Sequence, residues 1–133
     1  MPAHAERDSG LVHLESRYSV LDTSLRLETV LKEHGLRIFA RIDHSGEAIN
    51  VGLRLRPTLV FLFGSPMVGT PLMVASPTLG MDLPFKAMVW QDEARKVWLS
   101  YNTPEYLKHR HHVPEWLIAK LAPLVDLLSG VVR

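Results

Sequence analysis

Three histidines fall within four positions of one another in the stretch YLKHRHHVPEWL, residues 106–117: His109, His111 and His112. Imidazole can ligate a metal or haem iron, and it can carry protons near neutral pH. Spacing limits what these three can do together. On a helix His109 and His112 share a face, whereas His111 is turned by about 160° from His109. One ion cannot take all three while the segment stays helical. A site here needs one or two of them and a ligand from elsewhere in the chain. The plainer reading is a set of cationic and polar groups on the last turn of a helix, where carbonyls lack partners.

Other chemistry-bearing residues are scattered. Asp43-His44 ends an alternating segment, and Asp82 follows a proline- and glycine-rich stretch. His44, Asp82 and His111 are the candidates for acid–base work. Met67, Met73 and Met81 bring thioethers that can ligate haem iron or cuprous copper, although methionine more often fills irregular core gaps. Trp90, Trp98 and Tyr101 could line a pocket or pack beneath helices. FLFGSPMVGT has the G-x4-G spacing of a phosphate loop at Gly64 and Gly69. Thr70 stands where that loop needs lysine and Pro71 where it needs a hydroxyl, so the motif is rejected. There is no G-x-S-x-G elbow and no H-E-x-x-H.

The elements that must position these groups follow from periodicity. Residues 11–18 alternate as a half-buried strand. SLRLETVLKEHG carries Leu27, Val30 and Leu31 at helical spacing and stops at Gly35. This predicts a helix over about 23–34, capped from Asp22 or Thr23. LRIFARID reads as a second strand. HSGEAINVG is a loop or one helical turn, and Leu53 and Leu55 begin a strand that Pro57 interrupts. TLVFLF reads as a central strand covered on both faces. Gly64 to Pro84 holds four prolines and three glycines and reads as a long functional loop, with short turns near 70–75 and 78–81. FKAMVWQ and KVWLSY flank DEAR as a hairpin. Thr103 and Pro104 open a helix that Pro114 ends, and Leu117, Leu121, Leu124, Val125 and Leu128 mark a last one, bent at Pro123 and ended at Gly130.

Composition bounds the whole. With 133 residues, 47% hydrophobic and 22% charged, the chain suits one domain over 1–133, residues 1–10 forming a flexible N-terminus. A formal charge of +1 gives no general pull on polyanions, so no nucleic-acid partner is expected. Without cysteine, thiolate chemistry is excluded. MPAHAERDSG has no apolar core of a secretory signal, and no apolar run approaches the ~20 residues that span a bilayer. The expectation is a cytoplasmic protein with no membrane partner. Strands grouped with helices read as α+β, helices on one face of a mainly antiparallel sheet.

FARIDH (39–44), FGSPMVGTPLM (63–73), GMDLPFKAMVWQDE (80–93), VWLSYNTPEYL (97–107) and RHH (110–112) resemble, in order and spacing, the motifs of the bacterial domain of unknown function 302 family. The resemblance runs from about Ser19 to the C-terminus. It implies a compact α+β domain with a curved antiparallel sheet, similar to the TATA-binding-protein-like architecture, and small dimers. It implies no activity. It puts weight on Asp43, His44, Gly69 to Met73, Asp82, Trp90, Tyr101, Asn102 and His111. His109 and His112 look like additions, the latter at a position where the family pattern often has glycine.

The leading expectation is a small ligand- or cofactor-binding domain with His44, Met73, Asp82, Trp90, Tyr101 and His111 at its site. The sharpest candidate is haem or a transition metal held by His111, His44 or both, with Met73 or Met81 as a second axial ligand. One alternative is a small enzyme using His44, Asp82 or His111 for acid–base chemistry. The other is a dimeric structural module with no ligand.

Overall fold

The computed structural model describes residues 4–6 and 9–133, with side chains from Ser9 onward. The N-terminal expectation for 1–10 therefore falls partly outside the described residues. Six strands form one sheet: β1 (His4–Glu6), β2 (Leu11–Ser16), β3 (Arg37–Asp43), β4 (Thr58–Gly64), β5 (Phe85–Gln91) and β6 (Val97–Asn102). The spatial order is β1-β2-β6-β5-β4-β3, and every pairing is antiparallel. The helices are α1 (Val20–Glu33), α2 (His44–Asn50), α3 (Pro66–Ala75), α4 (Pro104–His111), α5 (Glu115–Ile118) and α6 (Ala122–Val131). The α+β reading holds, with β1 as an added edge strand.

Alternation sorts the side chains. Val12, Leu14, Phe61, Phe63, Ala87, Val89 and Leu99 share one face and are buried. On α1, Thr23, Leu27 and Leu31 recur every four residues and bury against that face and α6. Val60, Leu62, Met88, Trp90 and Trp98 point the other way and are only partly buried. β4 is therefore apolar throughout without being covered on both faces. A continuous apolar run does not distinguish the two cases, and here helices cover one side only.

Several boundaries move from their expected places for local reasons. Ser19, not Asp22 or Thr23, caps α1, its Oγ accepting from Asp22 N at 3.0 Å. Thr23 is instead fully buried and shares a 2.7 Å hydrogen bond with Ser16. Ser19→Ala is expected to cost about 1 kcal/mol, read from a urea melt. The long segment after β4 is mostly ordered helix. Ser65 caps α3 with Pro66 in its first turn, Pro71 is accommodated inside it, and Pro77–Met81 forms a 3-10 turn. Pro123 lies in the first turn of α6, and Gly130 falls within that helix.

Gly10 joins β2 to α4. Its φ is +71°, and a Cβ there would overlap the Tyr106 ring, so this close approach requires glycine. Its carbonyl accepts from Thr103 N at 2.8 Å, fixing the start of α4.

Candidate functional site

The histidine cluster divides at the end of α4. His111 is buried, while His109 and His112 are exposed. Helical phase makes this separation, since His111 faces the core when its neighbours do not. His112 is the C-cap, with φ 54° and ψ 46° in the left-handed region. That conformation favours glycine. His112→Gly is expected to raise stability by about 0.5–1 kcal/mol in thermal or urea unfolding.

His111 meets Asp82 and Thr78. Its Nε2 lies 2.5 Å from Asp82 Oδ2, and its Nδ1 lies 2.8 Å from Thr78 Oγ1. Arg110 Nε also reaches Asp82 Oδ2, at 3.1 Å, while its terminal nitrogen donates to Tyr106 Oη at 2.8 Å. A neutral imidazole carries one N–H, and a carboxylate only accepts. Nε2–H therefore donates to Asp82, and with the ring neutral Nδ1 accepts from the Thr78 hydroxyl. The arrangement is a carboxylate, an imidazole and a hydroxyl in line, with the hydroxyl on an exposed residue. Both ring nitrogens are engaged, so His111 presents none to an incoming metal or haem iron.

Thr78 was not foreseen as a site residue. Thr78 lies in the 3-10 turn Pro77–Met81 and Asp82 caps its end, so one short turn carries both. Their closeness in the chain was legible, but His111 had to be brought alongside before it meant anything.

His44 does not join this assembly. It follows Asp43, which pairs with Leu59 near the start of β4. Asp82 precedes Phe85, which pairs with Phe63 at the other end of that strand, roughly 13 Å away at the usual rise. His44 is exposed on the first turn of α2. Asp43 caps that helix, and the Ser45 hydroxyl and Gly46 N–H that it accepts hold its carboxyl below the usual range. The expected pairing of His44 with His111 as metal ligands is thus corrected. Among the described residues no three His, Cys, Asp or Glu side chains form a group that could hold a metal ion.

Trp90 is separated by the sheet itself. Its indole Nε1 donates to Ser100 Oγ at 2.9 Å on the face away from the helices, and His13 Nδ1 lies 2.6 Å from the same oxygen. Tyr101 is on the helix face, beside Asp82 and Leu107, along a hollow of about 30 Å³. That is room for only a water or two, small for an organic ligand. Burial pushes the Tyr101 phenol up, with the Asp126 charge adding to it.

The larger space lies next to this cluster. A cleft of about 230 Å³ is bounded by Phe39, Gly64, Gly69, Met73, Leu83 and Phe85, with Ser65 and Thr70 at its polar positions. Leu83 and Pro84, joined by a cis peptide bond, form one wall directly after Asp82. Met73 lines the cleft, whereas Met81 is 78% exposed. The Asp82–His111 contact therefore anchors the root of the cleft wall to α4. Another groove, of about 360 Å³ beside Arg17 and Arg133, contains none of the expected site residues.

The family model described as "Domain of unknown function DUF302" matches residues 12–129. The chain belongs to the DUF302 family. An uncharacterised DUF302 protein from Bacillus stearothermophilus shares the fold, with a TM-score of 0.78 over 92% of this chain and 95% of that one, at 18% identity. Two Brucella proteins named fluoride-specific ion channel FluC 1 are 46% identical to this DUF302 domain over 104 residues, 78% of its length. They are from Brucella suis and Brucella abortus, and the chain spans only 41% and 38% of their respective lengths. No helix among the described residues is long and apolar enough to cross a membrane.

Proposed function

We propose that this domain is an accessory binding module that takes a small, mainly apolar organic molecule in the cleft between β4, α3 and the Leu83–Pro84 wall. The observation that carries this reading is the cleft itself: about 230 Å³ of apolar space with hydroxyls at Ser65 and Thr70. Ligand sites commonly combine apolar walls with a few polar groups. The volume lies below the usual range for drug-sized ligands and suits an aromatic ring or a short acyl chain. Haem is a poorer fit to this geometry, because His111 spends both nitrogens on protein partners and His44 stands at the far end of the sheet. The relatives named as fluoride channels support an accessory role, since most of their length lies outside the part this domain matches. In such a protein the domain would work beside a bilayer.

Gly69 gives a direct test. A Cβ there would sit 3.6 Å from Leu83 Cδ1 and 3.8 Å from Met73 Cε, in ordinary contact with the cleft lining. Gly69→Ala is expected to stabilise the fold by about 0.5–1 kcal/mol, since glycine inside a helix is costly. The same methyl should weaken binding of indole or hexanoate, followed by amide shifts at residues 64–70 and 83–85. Wild-type protein showing no saturable shift with either probe would remove the proposal.

A second reading rests on the Asp82–His111–Thr78 line, which resembles the polarised hydroxyl of nucleophilic enzymes. Its test is hydrolysis of an activated ester such as p-nitrophenyl acetate. Activity lost in both Thr78→Val and His111→Gln would favour an enzyme. Activity equal to that of free imidazole would leave the line as a structural clamp.

A further inference from the structure

We propose that the segment running from the last turn of α2 towards β4, residues 49–56, an arm of the fold, docks this domain onto an anionic lipid surface. Ile49, Val51, Leu53 and Leu55 lie within seven residues of one another and are 69%, 72%, 66% and 51% exposed. Single exposed apolar residues are ordinary, but four along one short segment mark a contact surface. Leu53 N donates to Ala48 O at 2.9 Å within the arm, and just beyond it Gln91 N donates to Pro57 O at 3.0 Å.

Its charges select the occupant. Arg54 and Arg56 alternate with the two leucines, are exposed, and have no side-chain partner among the described residues. Nearby carboxylates are largely engaged in local bonds: Asp43 holds Ser45 and Gly46, and Asp92 accepts from Trp98 Nε1 at 2.9 Å. Glu47 and Glu93 remain exposed, so the local positive excess is small and comes from the arm itself. Leucines that enter the acyl boundary beside guanidiniums that bind lipid phosphate match the two layers of an anionic membrane surface. A second copy fits less well. A two-fold contact built on this arm would bring Arg54 and Arg56 against their own counterparts. The expectation of no membrane partner rests on the lack of an apolar run long enough to span a bilayer, which a peripheral contact does not need; in the sequence Leu53 and Leu55 read as the start of a strand, and the fold leaves them exposed. The choice of a bilayer rests on the accessory setting proposed above, and the occupancy of the cleft is read by a separate assay.

The test is co-sedimentation of the full chain with vesicles of phosphatidylcholine and phosphatidylglycerol, against vesicles of phosphatidylcholine alone. Wild type should pellet with the anionic vesicles and be released by salt. Leu53→Ser with Leu55→Ser, and separately Arg54→Gln with Arg56→Gln, should each weaken binding by about tenfold or more while the circular dichroism spectrum is retained. Wild type left in the supernatant with both vesicle types would overturn the proposal. So would vesicle binding unchanged in both variants. A dimer in light scattering that the leucine variant alone dissolves, without vesicle binding by wild type, would assign the arm to a second copy instead.

Discussion

Phe63→Ala is expected to lower the unfolding free energy by about 3–5 kcal/mol, read as a shift in the urea midpoint. Phe63 is fully buried, and its ring lies 6.2 Å from Phe85 at a tilt of 41°. It stands where β4 delivers the chain into α3, and it lines the small hollow beside Asp82 and Tyr101. Truncation would enlarge a hollow that is already there, and the strands on either side cannot close over it. Because Phe85 also forms part of the cleft wall, ligand shifts at residues 83–85 should change as well. Phe63→Leu retains most of the apolar contact and should cost clearly less. An alanine variant as stable as wild type would mean that the β4–β5 end of the core is not packed as described.

His111→Ala is expected to cost about 2–3 kcal/mol. The loss has two sources. A ring whose side chain is 4% exposed leaves a cavity at the end of α4. Asp82 keeps only Arg110, and the Thr78 hydroxyl loses its acceptor. The effect should be local, because these bonds tie the Pro77–Met81 turn to α4 and little else. Amide exchange is expected to quicken at residues 77–83 and 104–111, with β2 and β6 unchanged. His109→Ala, on the exposed side of the same helix, should stay within about 0.5 kcal/mol of wild type. Equal costs at the two histidines would remove the special role of His111.

The helical stripe of Leu27 and Leu31, the strand alternation, the hairpin around DEAR and the proline-opened α4 were all legible in the chain, because each depends on spacing within a dozen residues. The motif order from FARIDH to RHH carried the family. The segment from Gly64 to Pro84 was legible as unusual, with short turns near 70–75 and 78–81, but not as a continuous helix from Pro66 to Ala75, since Pro71 inside α3 argues against one until tertiary packing overrides it. Ser19 rather than Asp22 or Thr23 caps α1 because Thr23 is claimed by Ser16, a partner across the core.

By itself the sequence determined the α+β class, the family and the short list that included Asp82 and His111. Tertiary structure alone decided which of those residues meet. It brought His111 to Asp82 and Thr78, sent His44 to the opposite end of the sheet, and put Trp90 on the face away from Tyr101. It also left Leu53 and Leu55 exposed when their alternation suggested a strand. The physical reason is the same in each case. Local spacing fixes which way a side chain faces along its own element, but the partner across a sheet or between two turns is set by strand order and packing, which local spacing alone does not specify.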